Sequence, residues 1–321
     1  MNSIFDELEV ELLIPEGTPL PLSKCLDDIF EEFGDGSQQF LGIRTGIEKL
    51  DEATLGLDGL IVLSGKAGGG KTSLAIQLTF GAIEKDKVPI LFYSLEMSRR
   101  QLVARLLSQI TGIDQKKIYR GGRRTEQTFE YSLTQAEHEK LQQGKERLRR
   151  TGDRYYIVDR ADGEISFNKL KEQINLLKTL YQTEKVLVVI DHLQVFSLNP
   201  ENKGEKYVDQ ISKETALING FKDVQSITNS AVLLISQENK AAYNKGSIMA
   251  VKGSVDIVYL ADVVMQIVSE DEESKDSDKL EDAIAVFGAV KDVQLVINKN
   301  RYGETKVIPL RFDGKTSKFR E

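Results

Sequence analysis

The stretch from Leu60 to Phe80, LIVLSGKAGGGKTSLAIQLTF, constrains this chain more than any other. Its apolar opening, Leu60 to Leu63, has the length of a buried strand; a glycine-rich turn follows, and Leu74, Ile76, Leu78 and Phe80 then recur as on a helix. Gly65, Gly70, Lys71 and Thr72 fill the pattern G-x-x-x-x-G-K-[ST] without a gap. Gly65, Gly68, Gly69 and Gly70 lack Cβ atoms, so the backbone can adopt positive φ and turn its N–H groups inward around a phosphate. A helix starting near Lys71 adds the positive end of its dipole. The loop of Gly65, Lys66, Ala67, Gly68, Gly69, Gly70, Lys71, Thr72 and Ser73 is therefore expected to cradle a nucleotide. Lys71 would reach the β- and γ-phosphates and the Thr72 hydroxyl would ligate Mg²⁺. The alternative is a glycine-rich turn capping an ordinary helix, and the flanking strand and helix count against it.

Composition sets the scale around that loop. With 321 residues and 40% apolar content, the chain has room for one large α/β domain with appendages. A formal net charge of −7 argues against a surface that coats nucleic acid indiscriminately, while leaving room for a locally basic channel. One cysteine, Cys25, permits no internal disulfide and fits a reducing compartment. No signal-like start opens the chain and no apolar run approaches the roughly 18 residues of a membrane span. The expectation is a soluble, cytoplasmic protein with no membrane partner.

Taken in order, residues 1 to 20 mix acids with Leu and Ile before Pro15, Pro19 and Pro21, and read as an extended arm. A helix is expected from Ser23 to Phe33, with Leu22, Leu26, Ile29, Phe30 and Phe33 on one face; it either covers its own domain or docks on a neighbouring subunit. Ile90 to Leu95, Tyr155 to Val158, Val186 to Ile190 and Ala231 to Ile235 read as further strands, the last two apolar on both faces as central parallel strands are. Helices are expected over Arg99 to Ile110 and over Lys169 to Tyr181, the latter with Leu170, Ile174, Leu177 and Leu180 in one stripe. Lys116 to Arg154 reads as a polar surface insertion carrying no core, and Glu270 to Asp282 as a solvated acidic loop. From Val293 to Phe319 the pattern alternates like antiparallel strands, with a tight turn at Asp313 and Gly314. The fold class is thus α/β, a mostly parallel sheet with helices on both faces and a carboxy-terminal antiparallel extension.

Such sheets gather chemistry at the carboxyl ends of their strands. Asp191, after VLVVI, suits a Walker B carboxylate delivered to Mg²⁺, though alone it reads equally well as a helix N-cap. Glu96, in YSLEMS, could orient or deprotonate the water that attacks a γ-phosphate. Together GKAGGGKTS, SLEMS, VVIDHLQ (Val188 to Gln194), LLISQENK (Leu233 to Lys240) and NKNRYGET (Asn298 to Thr305) resemble the RecA-like P-loop motor domain of DnaB-type replicative helicases, from about Gly42 to Phe319. The resemblance implies ATP and Mg²⁺ as cofactors, with Lys71 and Thr72 at the nucleotide, Glu96 as the catalytic carboxylate, Asp191 as the Walker B acid and Gln237 sensing the γ-phosphate. It also implies that Lys299 and Arg301 act on the site of the adjacent subunit in a ring, expected to be a hexamer.

Two loops would face the ring's channel, one with Lys203 and Lys206, the other with Lys245, Lys252 and Gly253, gripping the phosphates of single-stranded DNA. His192 reads as a packing or supporting residue. The domain division is an arm with a docking helix over 1–37 and the motor over 38–321; that arm is too short to be the collar domain through which the family recruits primase. The resulting expectation is an ATP-hydrolysing helicase motor of DNA replication, with a loader or primase as possible partners. Its rival is a RecA- or KaiC-type regulatory or scaffolding ATPase that assembles with nucleotide and does not unwind DNA.

Overall fold

Strands apolar on both faces need a cover on each side, and the computed structural model supplies both. It describes residues 40–119, 133–163, 165–196, 210–237, 259–269 and 290–321, together with Leu26 and Phe30. The strands are β1 (Leu60–Gly65), β2 (Ile90–Ser94), β3 (Tyr155–Asp159), β4 (Leu187–Asp191), β5 (Ala231–Ile235), β6 (Val263–Ser269), β7 (Val290–Asn300), β8 (Val307–Asp313) and β9 (Lys318–Arg320). The helices are α1 (Glu48–Thr54), α2 (Lys71–Asp86), α3 (Arg99–Thr111), α4 (Gln115–Tyr119), α5 (Gln135–Thr151), α6 (Phe167–Tyr181) and α7 (Gln210–Thr228). They build one sheet in the order β3-β2-β4-β5-β1-β6-β7-β8-β9. The run from β3 to β6 is parallel, and β7, β8 and β9 add antiparallel strands, as the sequence pattern implies.

Because successive strand residues point to opposite faces, each strand feeds two cores. Ile61, Leu63, Phe92, Val189 and Leu233 meet Leu74, Leu78, Leu102 and Leu106 of α2 and α3 on one side. Leu60, Val62, Tyr93, Val188 and Leu234 meet Leu170, Ile174, Leu177, Leu217 and Phe221 of α6 and α7 on the other. Each such aliphatic side chain contributes about 1.5–3 kcal/mol on burial. Replacing Phe221, whose ring sits edge-on to Phe196 and Phe167, by Ala would cost about 3–5 kcal/mol.

Two expectations need correction. Leu180 is 59% exposed while Leu170, Ile174 and Leu177 are buried, because at about 100° per residue it stands roughly 80° round the helix from Leu170, off the buried stripe. The segment from Lys116 to Arg154 does carry core: Leu148 of α5 packs against the α2 side of the sheet, and Gly144 lets α5 approach Thr111 of α3 so closely that a Cβ would lie 2.5 Å from its methyl. Arg147 stacks over Phe80 and pairs with Glu84, so a helix of mostly polar residues docks through a narrow seam.

The close approach that seats the phosphate-loop helix is made at Gly81 of α2. A Cβ there would lie 1.8 Å from the Thr45 carbonyl oxygen, so the segment before β1 presses directly on the helix. Buried Asp51 fixes that segment by accepting from the Thr45 amide and hydroxyl, both at 2.7 Å, and from the Gly46 amide at 2.9 Å. The expected helix from Ser23 to Phe33 is helical at Leu26 and Phe30, and its other residues lie outside those described, as do the arm before it and the acidic run from Glu270.

Candidate functional site

The phosphate loop joins β1 to α2 with positive φ at Gly65 (154°), Gly68 (75°) and Gly70 (89°). A Cβ on Gly70 would lie 2.8 Å from Cζ of Phe319, so the carboxy-terminal hairpin leans on the loop and leaves space only for glycine. Gln77 of α2 anchors that hairpin, donating to the Phe319 carbonyl at 2.9 Å and accepting from its amide at 2.8 Å. Inside the loop, the Lys71 ammonium donates to the carbonyls of Gly65 and Lys66, each at 2.7 Å. It sits within the turn its own backbone forms.

Parallel register brings the acids to the same edge. Ser94 at the end of β2 pairs with Asp191 at the end of β4, and the Leu95 amide donates to the Asp191 carbonyl at 2.7 Å. The Thr72 hydroxyl donates to Oδ2 of Asp191 at 2.8 Å, across 119 residues of sequence. Burial pushes the Asp191 carboxyl above its ordinary value, against the Thr72 hydroxyl, which favours the ionised form; Glu96 adds to the rise, and His192 and Arg105 oppose it. Glu96 lies between β2 and α3, on a turn fixed by Ser98, whose side chain and amide exchange bonds with Gln101 in a capping box. Its side chain is 55% exposed and meets Nδ1 of His192 at 3.2 Å. One ligand atom from each of Glu96, Asp191 and His192 falls within a 4.8 Å cluster.

The oxygens of Thr72 and Asp191 form a hard donor pair, and their 2.8 Å separation is close to that of adjacent vertices around Mg²⁺, about 2.9 Å for ligands at 2.0–2.1 Å. The donor set therefore fits that ion. Behind it stands a residue the sequence reading missed. Arg105 of α3 is pushed below its ordinary range by burial, while Asp191 and Glu96 pull it back up, so the cation lies within their field. Its Nε is buried with no hydrogen-bond partner. Only the spacing of Leu102, Arg105, Leu106 and Gln109 on one helix face could have placed it.

Gln237 follows β5, in which Ile235 is the register partner of Asp191, so it too stands at this edge. Arg301 and Lys299 do not. Lys299 lies at the end of β7 and Arg301 directly follows it; there Asn300 pairs with Val263, and Val263 in turn lies beside Ile61 near the start of β1. There Arg301 donates to Oδ1 of Asp262 at 2.7 Å and to the Tyr259 carbonyl at 3.2 Å. Lys299 donates to the carbonyls of Ala261 at 2.7 Å and Tyr259 at 2.9 Å. Lys203, Lys206, Lys245, Lys252 and Gly253 lie outside the described residues.

Comparison with known proteins follows the same lines. The chain is 28% identical over 254 residues to the replicative DNA helicase DnaB of Synechocystis sp., covering 76% of this chain and 27% of that protein. It is 24% identical over 331 residues to the replicative DNA helicase DnaB of Helicobacter pylori, covering 94% of this chain and 63% of that one. The chain thus spans only part of the curated relatives it matches. Among solved structures, an ATPase domain superposes with a TM-score of 0.76 at 18% identity, covering 94% of this chain and 99% of that chain. A DnaB-like replicative helicase, solved in a study of its interactions with primase, gives 0.73 at 18% identity, covering 98% and 70%. Both share the fold, a RecA-like sheet. The model of the DnaB-like helicase C terminal domain matches residues 42–321, and the chain belongs to that family.

Proposed function

We propose that this chain is the motor of an oligomeric DNA helicase, which hydrolyses ATP at sites shared between neighbouring copies and moves along single-stranded DNA during replication. The observation that carries the reading is the division of machinery between opposite ends of β1. Thr72, Asp191 and Glu96 gather at the carboxyl ends of the strands, while Arg301 stands at the level of Ile61 and Val263. From Ile61 to Gly65 the strand rises four residues, about 13 Å. A guanidinium bonded to Asp262 cannot span that distance to its own loop. In our reading it serves another subunit, where a cation arriving from outside neutralises charge on the transferred phosphoryl and makes hydrolysis depend on assembly.

In this reading Lys71 exchanges the carbonyls of Gly65 and Lys66 for the β- and γ-phosphates. Thr72 and Asp191 would hold Mg²⁺, which would supply charge neutralisation at the phosphates. Glu96, steered by His192, orients the attacking water, and Gln237 reports the γ-phosphate to the strand beside it. Residues 1–37 form the arm and 38–321 the motor; the copies close into a hexameric ring in the cytoplasm, open to a loader or primase, with Lys203, Lys206, Lys245, Lys252 and Gly253 on the DNA. ATP turnover measured with and without single-stranded DNA, across protein concentration, tests this. A motor shows specific activity that rises with concentration and is stimulated by DNA; a scaffolding ATPase shows a rate indifferent to DNA.

A further inference from the structure

The corner that holds Arg301 is built around one buried acid. Asp262, 2% exposed, accepts from the Leu60 amide at 2.8 Å, from Nζ of Lys222 at 2.7 Å and from Nη1 of Arg301 at 2.7 Å. Its backbone is tied on both sides, its amide donating to the Leu60 carbonyl at 2.7 Å and its carbonyl accepting from the Arg301 amide at 3.0 Å. Gly59, at φ 71°, makes the room: a Cβ there would lie 2.4 Å from Oδ2 of Asp262 and 2.7 Å from the Tyr302 hydroxyl. Two cations thus share one carboxylate, with the Lys299 ammonium held at the adjoining carbonyls.

The two cations on Asp262 differ in position. Lys222 comes from α7, is 26% exposed and also donates to Gln225 at 2.9 Å. Arg301 is 49% exposed. A buried carboxylate left without any cation is costly, so one that must release a partner needs a second that stays. We infer that Asp262 is a positioning residue that parks Arg301 at the amino ends of the parallel strands, and that Lys222 is the standing counterion that lets Arg301 leave for the phosphate of an adjacent subunit. This rests on the reading of Arg301 as a residue acting between subunits.

The test is a double-mutant cycle in the full chain, measured as DNA-stimulated ATPase at concentrations where copies assemble, with fluorescent-nucleotide affinity and melting temperature alongside. Asp262→Asn leaves Arg301 undirected and lowers kcat about tenfold, with KM and nucleotide affinity unchanged. Lys222→Met makes the departure of Arg301 strand a buried anion, so Arg301 stays parked and kcat falls about tenfold or more. In the double variant no anion remains to strand, and kcat returns to the level of Asp262→Asn alone. Lys222→Met turning over at the parent rate, or losses that multiply in the double variant, would overturn the inference. If Asp262→Asn does not fold, Lys222→Met decides through its kcat with KM unchanged. Arg301→Ala separates the two failures: parent activity there sinks the intersubunit reading itself, whereas its loss together with an unaffected Lys222→Met sinks only the parking role.

Discussion

The two ends of β1 handle charge in opposite ways. At the carboxyl end the cradle comes from a single chain: the loop, the lysine folded into it, and a threonine already bonded to its acid. At the amino end Lys222, Lys299 and Arg301 crowd around Asp262 and two carbonyls, and Arg301 is the most exposed of them. The first end is a cradle built by one copy, and the second, in the proposed reading, is a tool for a neighbouring one.

Breaking the ends separately should give different failures. Lys71→Ala removes the cation from the cradle and abolishes nucleotide binding, read as loss of fluorescent-ATP affinity. Arg301→Ala should keep that affinity and a folded, slightly less stable monomer, yet lower kcat by about 10³ or more. Glu96→Gln, on the cradle side, should also keep binding and lower kcat by about 10²–10³ if, as proposed, that acid handles the attacking water. Equal loss of affinity in Lys71→Ala and Arg301→Ala would erase the distinction.

Stability sharpens the contrast, because the two buried acids have opposite electrostatics. Asp191 is pushed up by burial, so its ionised form strains the nucleotide-free fold at neutral pH. Burial pushes Asp262 up as well, but the Leu60 amide, Lys222 and Arg301 outweigh it and leave the group below its ordinary value of 3.8. A depressed carboxyl stabilises the fold above its unfolded value and loses that contribution as pH falls through the folded one. Asp262→Asn should therefore cost about 2 kcal/mol in urea unfolding at pH 7, with the gap to the parent closing below about pH 4. Asp191→Asn should act in the other direction, raising the melting temperature of the nucleotide-free protein by about 2 °C while hydrolysis is lost.

The carboxyl-end site was legible in sequence because its parts are local. A strand, a glycine loop and a helix start are contiguous, and Asp191 and Glu96 each end a short apolar run that can only be a buried strand. The amino-end corner was legible only in Arg301 and Lys299, and only through family likeness. Asp262 reads in sequence as an ordinary acid before a strand, and its partnership with Leu60 spans 202 residues. Lys222 reads as one of many helix lysines. Topology alone brings them together, through β1 lying against β6 and α7 crossing behind. The α5 seam failed for a related reason, since a single glycine and a single leucine are enough to dock a helix that looks polar all round.

The claim on which this account rests is that one site takes its cradle from one copy and its guanidinium from the next. Mixing Glu96→Gln with Arg301→Ala protein, each inactive alone, measures it directly. Interfaces that pair an intact Glu96 with an intact Arg301 should restore ATP turnover, greatest near equal proportions. No recovery at any ratio, in mixtures shown to co-assemble, would contradict the shared site.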